Sequence, residues 1–148
     1  MRNLAVALVV LLGCGVAFAE KNLPLDELVR RADEASPKSQ ATQYMEIAER
    51  QLDAADQLYS SGDTGQAQKA VNDVVTFAGK AANAAKQSDS HLKHTEIHLR
   101  QMAEKLRAIK RTLAFDDQKP VQDAADNLES LRNEILSRMF GPPKKRKE

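Results

Sequence analysis

Apolar residues recur every three or four positions along most of the chain, the spacing that places them on one face of an α-helix. Such stripes occupy five segments, at about residues 24–34, 37–60, 64–87, 91–114 and 119–140. No segment after residue 19 alternates apolar and polar positions over a useful length, so strands are not expected. The pattern therefore predicts an all-α fold.

Short segments that favour turns separate these stripes. They are Ser36-Pro37, Ser60–Asp63, Ser88–Ser90 (a cap or a kink), Phe115–Pro120 and Gly141–Pro143. Because short connections make sequential helices antiparallel neighbours, the helices should pack in one domain at residues 20–141. The expected architecture is an antiparallel helical bundle or stacked helical hairpins, with three long helices plus a short N-terminal helix.

The first nineteen residues have the layout of a secretory signal peptide. Arg2 gives a charged start, Leu4–Leu12 is an unbroken apolar run, and Ala17-Phe18-Ala19 has small residues at the two positions that a signal peptidase reads. The run is too short to span a bilayer, which needs about 20 residues. The sequence therefore predicts cleavage after Ala19 and a secreted or periplasmic protein.

Cys14 allows a different interpretation of the same leader. Leu11-Leu12-Gly13-Cys14 resembles the lipobox of bacterial lipoproteins, in which the cysteine is acylated and becomes the first mature residue. That resemblance implies a lipid-anchored envelope protein. After cleavage at Ala19, by contrast, the mature chain has no cysteine, which excludes disulfides and thiolate chemistry.

The charge is nearly balanced overall, with 22 Lys and Arg against 21 Asp and Glu, but it is unevenly distributed. Four cations lie in the tail at Lys144–Lys147, so the preceding body is mildly acidic and no nucleic-acid partner is expected. Residues 142–148 are expected to be a disordered basic tail. At about 1 kcal/mol per cation, this tail could contact an anionic envelope surface weakly.

One turn has the chemistry of a helical hairpin. Small and apolar residues flank Gly62-Asp63, namely Ala55, Leu58, Ala67 and Val71. Residues 55–71 thus resemble the turn of a single tetratricopeptide repeat, although the signature Trp of that family is absent and Val71 replaces the usual aromatic. The resemblance implies a scaffold that binds proteins.

All three histidines lie in one short segment. His91, His94 and His98 fall within a helical arc of about 60°, and Met102 lies on the same side. Imidazole and thioether groups suit Cu, Ni or Zn, so these four residues are candidate metal ligands. His94 and His98 are the feasible chelating pair, because His91 and His98 are about 10.5 Å apart along the axis. In the alternative interpretation the rings border the apolar face and Met102 belongs to the core.

No catalytic motif is apparent. The chain has no Gly-rich phosphate loop, nucleophile elbow or paired-histidine metalloprotease signature, so no enzymatic activity and no cofactor other than a metal are expected. The leading hypothesis is a non-catalytic protein-interaction or structural module that uses a groove between its long helices. The mature aromatic residues are the natural anchors for a partner: Tyr44, Tyr59, Phe77, Phe115 and Phe140.

The leader yields the first testable prediction. Mass spectrometry of the protein exported by its native host should find Glu20 at the N-terminus, because signal peptidase cleaves after Ala19. An acylated Cys14 at the N-terminus would establish the lipid anchor instead. Retention of Met1 on protein recovered from the cytosol would contradict export altogether.

Overall fold

A computed structural model describes residues 23–141 of the chain. Helices α1 (Leu25–Glu34), α2 (Pro37–Ser60), α3 (Thr64–Ser88), α4 (Leu92–Lys110) and α5 (Phe115–Phe140) follow one another. No strand occurs within this range, which confirms the all-α prediction. The predicted signal peptide at residues 1–19, Cys14 and the basic tail at residues 142–148 lie outside the described residues.

The five helices correspond to the five predicted segments, but the expected count of three long helices is wrong. Four helices, not three, are long, with 19 to 26 residues each. They are separate because the backbone between them is not helical: the first two turns contain left-handed residues, and Ala114 before α5 is extended, with a ψ angle of 151°. Gly62, Asp89 and His91 all have positive φ angles, of 84°, 51° and 59°. That left-handed conformation ends a right-handed helix, so Ser88–Ser90 is a true break and not a kink.

The boundary between α4 and α5 also lies earlier than predicted. Helix α4 ends at Lys110 and α5 begins at Phe115, four residues before the predicted start at 119. Asp116 and Asp117 occupy the first turn of α5, where negative charge is favoured by the helix dipole. Pro120 lies inside α5 and has no backbone N–H, so the helix loses one hydrogen bond, the one to the carbonyl of Asp116. Asp116 is exposed to solvent, so this loss is tolerated.

The helices share one hydrophobic core. Helix α2 packs mainly against α3 and α4 mainly against α5, α3 also contacts α5, and α1 packs on α2. The largest fully buried apolar side chains are Met45, Val71, Val74, Leu99, Leu106, Val121, Leu128 and Ile135. Most come from the apolar stripes visible in the sequence. Within residues 23–141, no helix is both long and apolar enough to cross a membrane.

The aromatic residues separate into two groups. The rings of Tyr44 and Phe77 are buried and stacked, with centroids 6.2 Å apart, and Tyr59 is half-buried. Phe115 and Phe140, at opposite ends of α5, are 87% and 77% exposed. Only these last two are fully available as anchors, and they are one helix length apart.

Truncating the core should destabilise the protein far more than truncating an exposed aromatic on the same helix. Leu128→Ala should lower the free energy of unfolding by about 2–5 kcal/mol, because it removes buried apolar area and leaves a cavity. Phe115→Ala should change it by less than about 0.5 kcal/mol. Urea denaturation followed by circular dichroism measures both. Equal effects of the two substitutions would contradict the placement of α5.

Candidate functional site

An open groove of about 480 Å³ lies between α1 and α3. Its apolar surface comes mainly from the half-buried Leu25 and Val29 of α1, beside the ring of Phe77 of α3, which is only 7% exposed. Charged residues line it as well: the acidic Asp26, Asp33, Glu34 and Asp73 and the basic Arg30. The volume falls within the range of about 300–1,000 Å³ that is typical of ligand sites. The groove therefore combines an apolar surface with negative charge.

One end of this groove is held by contacts among the three helices that meet there. The Tyr44 hydroxyl of α2 donates a hydrogen bond to the Asp33 carboxylate of α1. Lys80 of α3 places its Nζ 3.6 Å from Asp33 Oδ1 and 5.0 Å from the centre of the Tyr44 ring. The bond from Tyr44 lowers the pKa of Asp33, while burial, followed by that bond, raises the pKa of Tyr44 to about 12. These contacts fix α1 against α2 and α3.

The charges along α1 are only partly neutralised. Glu27 pairs with Arg30 and Arg31, and Arg30 also pairs with Glu34. The hydrogen bond from Arg30, then that from Arg31, lowers the pKa of Glu27 to about 2. Among residues 23–141, neither Asp26 nor Asp73 has an ion-pair partner. The groove thus retains two uncompensated negative charges beside its apolar surface.

A second groove, of about 620 Å³, lies between α3 and α5. Its apolar surface is limited to Val75, Pro120 and Ala124, and of its two acidic residues, Asp116 and Asp123, the second is paired with Lys119 at 2.7 Å. Because its apolar residues are small and Asp123 is already compensated by Lys119, this groove is the weaker candidate for a partner site.

The histidine segment is divided by the start of α4. His94 and His98 lie one turn apart on the helix, with ring centroids separated by 4.0 Å. His91 is the left-handed residue before the helix, with its ring centroid 6.3 Å from that of His94. Met102 is 3% exposed and belongs to the hydrophobic core. The structure therefore brings two of the four predicted ligands close together.

Glu49 of α2 joins the two histidines, although the sequence analysis did not identify it. Its carboxylate is hydrogen-bonded to Nδ1 of His98. The two residues are 49 positions apart in sequence, so no local spacing could have indicated the contact. Within the described residues, no group of three or more His, Cys, Asp or Glu side chains is arranged to hold a metal ion.

The surroundings of His94 favour its neutral form. Burial lowers the pKa of His94, and the neighbouring His98 and His91 lower it further, against an opposing effect of Glu49. Neutral imidazole is the form that binds metals. Because the pKa is lower in the folded than in the unfolded chain, His94 contributes stability above about pH 6.5, and this contribution is lost as the pH falls.

The hairpin turn that resembles a tetratricopeptide repeat has sound local geometry. Gly62 supplies a positive φ of 84°, and the Asp63 side chain caps α3 by accepting a hydrogen bond from the backbone N–H of Gln66. Helix α3 then continues for 25 residues. The resemblance of residues 55–71 to a single tetratricopeptide repeat remains a prediction from the sequence. Comparison with protein-family models, curated proteins and solved structures finds no match for the chain.

The histidine geometry predicts a specific titration behaviour. In an NMR titration, the His94 ring should have a midpoint below the usual value of about 6.5. His98→Gln should move this midpoint upward because it removes one neighbouring positive charge, but not fully to 6.5 because burial is the larger cause. His91→Gln should produce a smaller upward shift. An unchanged midpoint in His98→Gln would contradict the close approach of the two rings.

Proposed function

We propose that the protein is an exported, non-catalytic helical module that binds a protein partner in the groove between α1 and α3. The observation that carries this proposal is the pairing of an apolar surface, formed by Leu25, Val29 and Phe77, with the uncompensated charges of Asp26 and Asp73. Such a surface complements an amphipathic segment with apolar and basic side chains. Helical segments of this kind commonly bind to grooves between helices.

The proposed scaffold is an antiparallel, up-and-down bundle. Contacts between α4 and α5 run in opposite directions, since Glu96 pairs with Arg132 and Lys110 with Gln122. Contacts between α3 and α5 run in the same direction, and Lys86 pairs there with Glu134. In an up-and-down bundle, helices that follow each other in sequence are antiparallel, and every second helix points in the same direction, as α3 and α5 do. The resemblance of residues 55–71 to a tetratricopeptide repeat supports the proposal that the protein binds a protein partner, because that family consists of protein-binding scaffolds.

Export rests on the leader alone. The layout of residues 1–19 supports a secreted or periplasmic location, and the Cys14 lipobox supports the alternative of a lipid-anchored envelope protein. Either location leaves the groove as the partner site. The basic tail is proposed to add only a weak, salt-sensitive contact with anionic surfaces.

The proposal predicts charge-selective peptide binding. A helix-forming peptide with Leu on one face and Lys on the other should bind, whereas its counterpart with Glu in place of Lys should not, as measured by fluorescence anisotropy. Asp26→Asn with Asp73→Asn should weaken binding roughly 2- to 30-fold, because each charge pair at a protein surface contributes about 0.2–1 kcal/mol. Salt should have the same effect by screening.

The α3–α5 groove provides the matched control. Asp116→Asn with Asp123→Asn also removes two acidic residues that line a groove, and it should leave peptide binding unchanged. Equal weakening by both pairs of substitutions would indicate a general response to net charge and would contradict a specific site. Binding of the Glu-containing peptide would do the same.

A further inference from the structure

We propose that His94 and His98 form a two-imidazole binding site for a divalent transition-metal ion, with Glu49 orienting His98. The site lies on α4 and α2, and it shares no residue with the peptide groove between α1 and α3. Among the divalent metals that suit imidazole, Cu²⁺ should bind most tightly, following the general order of affinities.

The spacing of the two rings provides the chelating pair. His94 and His98 are four residues apart, so their side chains leave the same face of α4, and the ring centroids are 4.0 Å apart. His94 is exposed and His98 is half-buried, so an ion can approach from solvent. The two rings are inclined by 38° and are not stacked flat, and small side-chain rotations can direct one nitrogen of each toward a common ion.

Glu49 determines which nitrogen of His98 is available. A carboxylate beside Nδ1 favours a proton on that nitrogen, which leaves the lone pair on Nε2 free to bind a metal. Metal-binding histidines typically donate their second nitrogen to a carboxylate in this way, and the contact fixes the ring and increases its basicity. Glu49 is thus a positioning residue. Its negative charge also partly balances the positive charge of the ion.

The remaining coordination positions are assigned to water. The sulfur of Met102 belongs to a side chain packed in the core, and the His91 ring is 6.3 Å from that of His94. A site with two protein ligands is incomplete by the standard of closed structural sites, which have four. It should therefore bind reversibly and more weakly than a closed site.

Titration of the untagged mature chain, residues 20–148, with Cu²⁺ tests the proposal, because this form lacks the Cys14 thiol, which would itself react with the ion. Isothermal calorimetry should show one ion per chain, and electron paramagnetic resonance should show two nitrogen ligands. Glu49→Gln should weaken binding about 10- to 100-fold, as expected for loss of an orienting carboxylate. His94→Gln and His98→Gln should each weaken it by at least that factor.

His91→Gln is the matched control, since it removes a histidine from the same segment but not from the chelating pair. It should leave the affinity for Cu²⁺ within about twofold, and circular dichroism should verify that every variant is folded. Absence of Cu²⁺ binding would overturn the proposal, as would binding that survives His94→Gln and His98→Gln. Loss of binding in His91→Gln would overturn the two-imidazole form. None of these outcomes affects peptide binding, so the two proposals can fail separately.

Discussion

Close packing of α2 against α3 is the contact on which the candidate groove depends. Alanines at buried positions on both helices, such as Ala48, Ala55, Ala78 and Ala81, allow the two backbones to approach closely. Each alanine buries little apolar area, so larger side chains must supply much of the hydrophobic stabilisation. Leu99 and Leu106 of α4 and Leu128 and Ile135 of α5 are fully buried and meet that need.

This arrangement also explains where α1 packs. The stacked rings of Tyr44 and Phe77, one from each helix of the α2–α3 pair, lie where α1 approaches. Asp33 then connects α1 to both partners through the Tyr44 hydroxyl and Lys80. A ten-residue helix is marginal alone, so α1 depends on these contacts for its position. The groove lies beside these rings, with Leu25 and Val29 of α1 on one side and Phe77 of α3 on the other.

The histidine site depends on a different pair of helices. Helix α2 contributes Glu49 and helix α4 contributes the two rings, and the nearby contact between Asp53 and Lys105, at 2.6 Å, joins the same helices. The groove and the histidines therefore share only α2. Nothing in either proposal requires coupling between the two sites.

Helix positions were largely readable from the sequence, because a period of 3.6 residues and local capping chemistry are properties of neighbouring residues. The breaks at Gly62 and at Ser88–Ser90, the all-α class and the spacing of His94 and His98 all follow from that local information. The early start of α5 was missed because Pro120 was taken as a boundary, whereas the acidic first turn favours a helix from Phe115. The Glu49–His98 contact, the burial of Met102 and the uncompensated charges of Asp26 and Asp73 were decided only by tertiary packing. Each of them depends on which faces of distant helices pack against each other. The apolar stripes show that helices will pack, but they specify the pairing of faces only loosely.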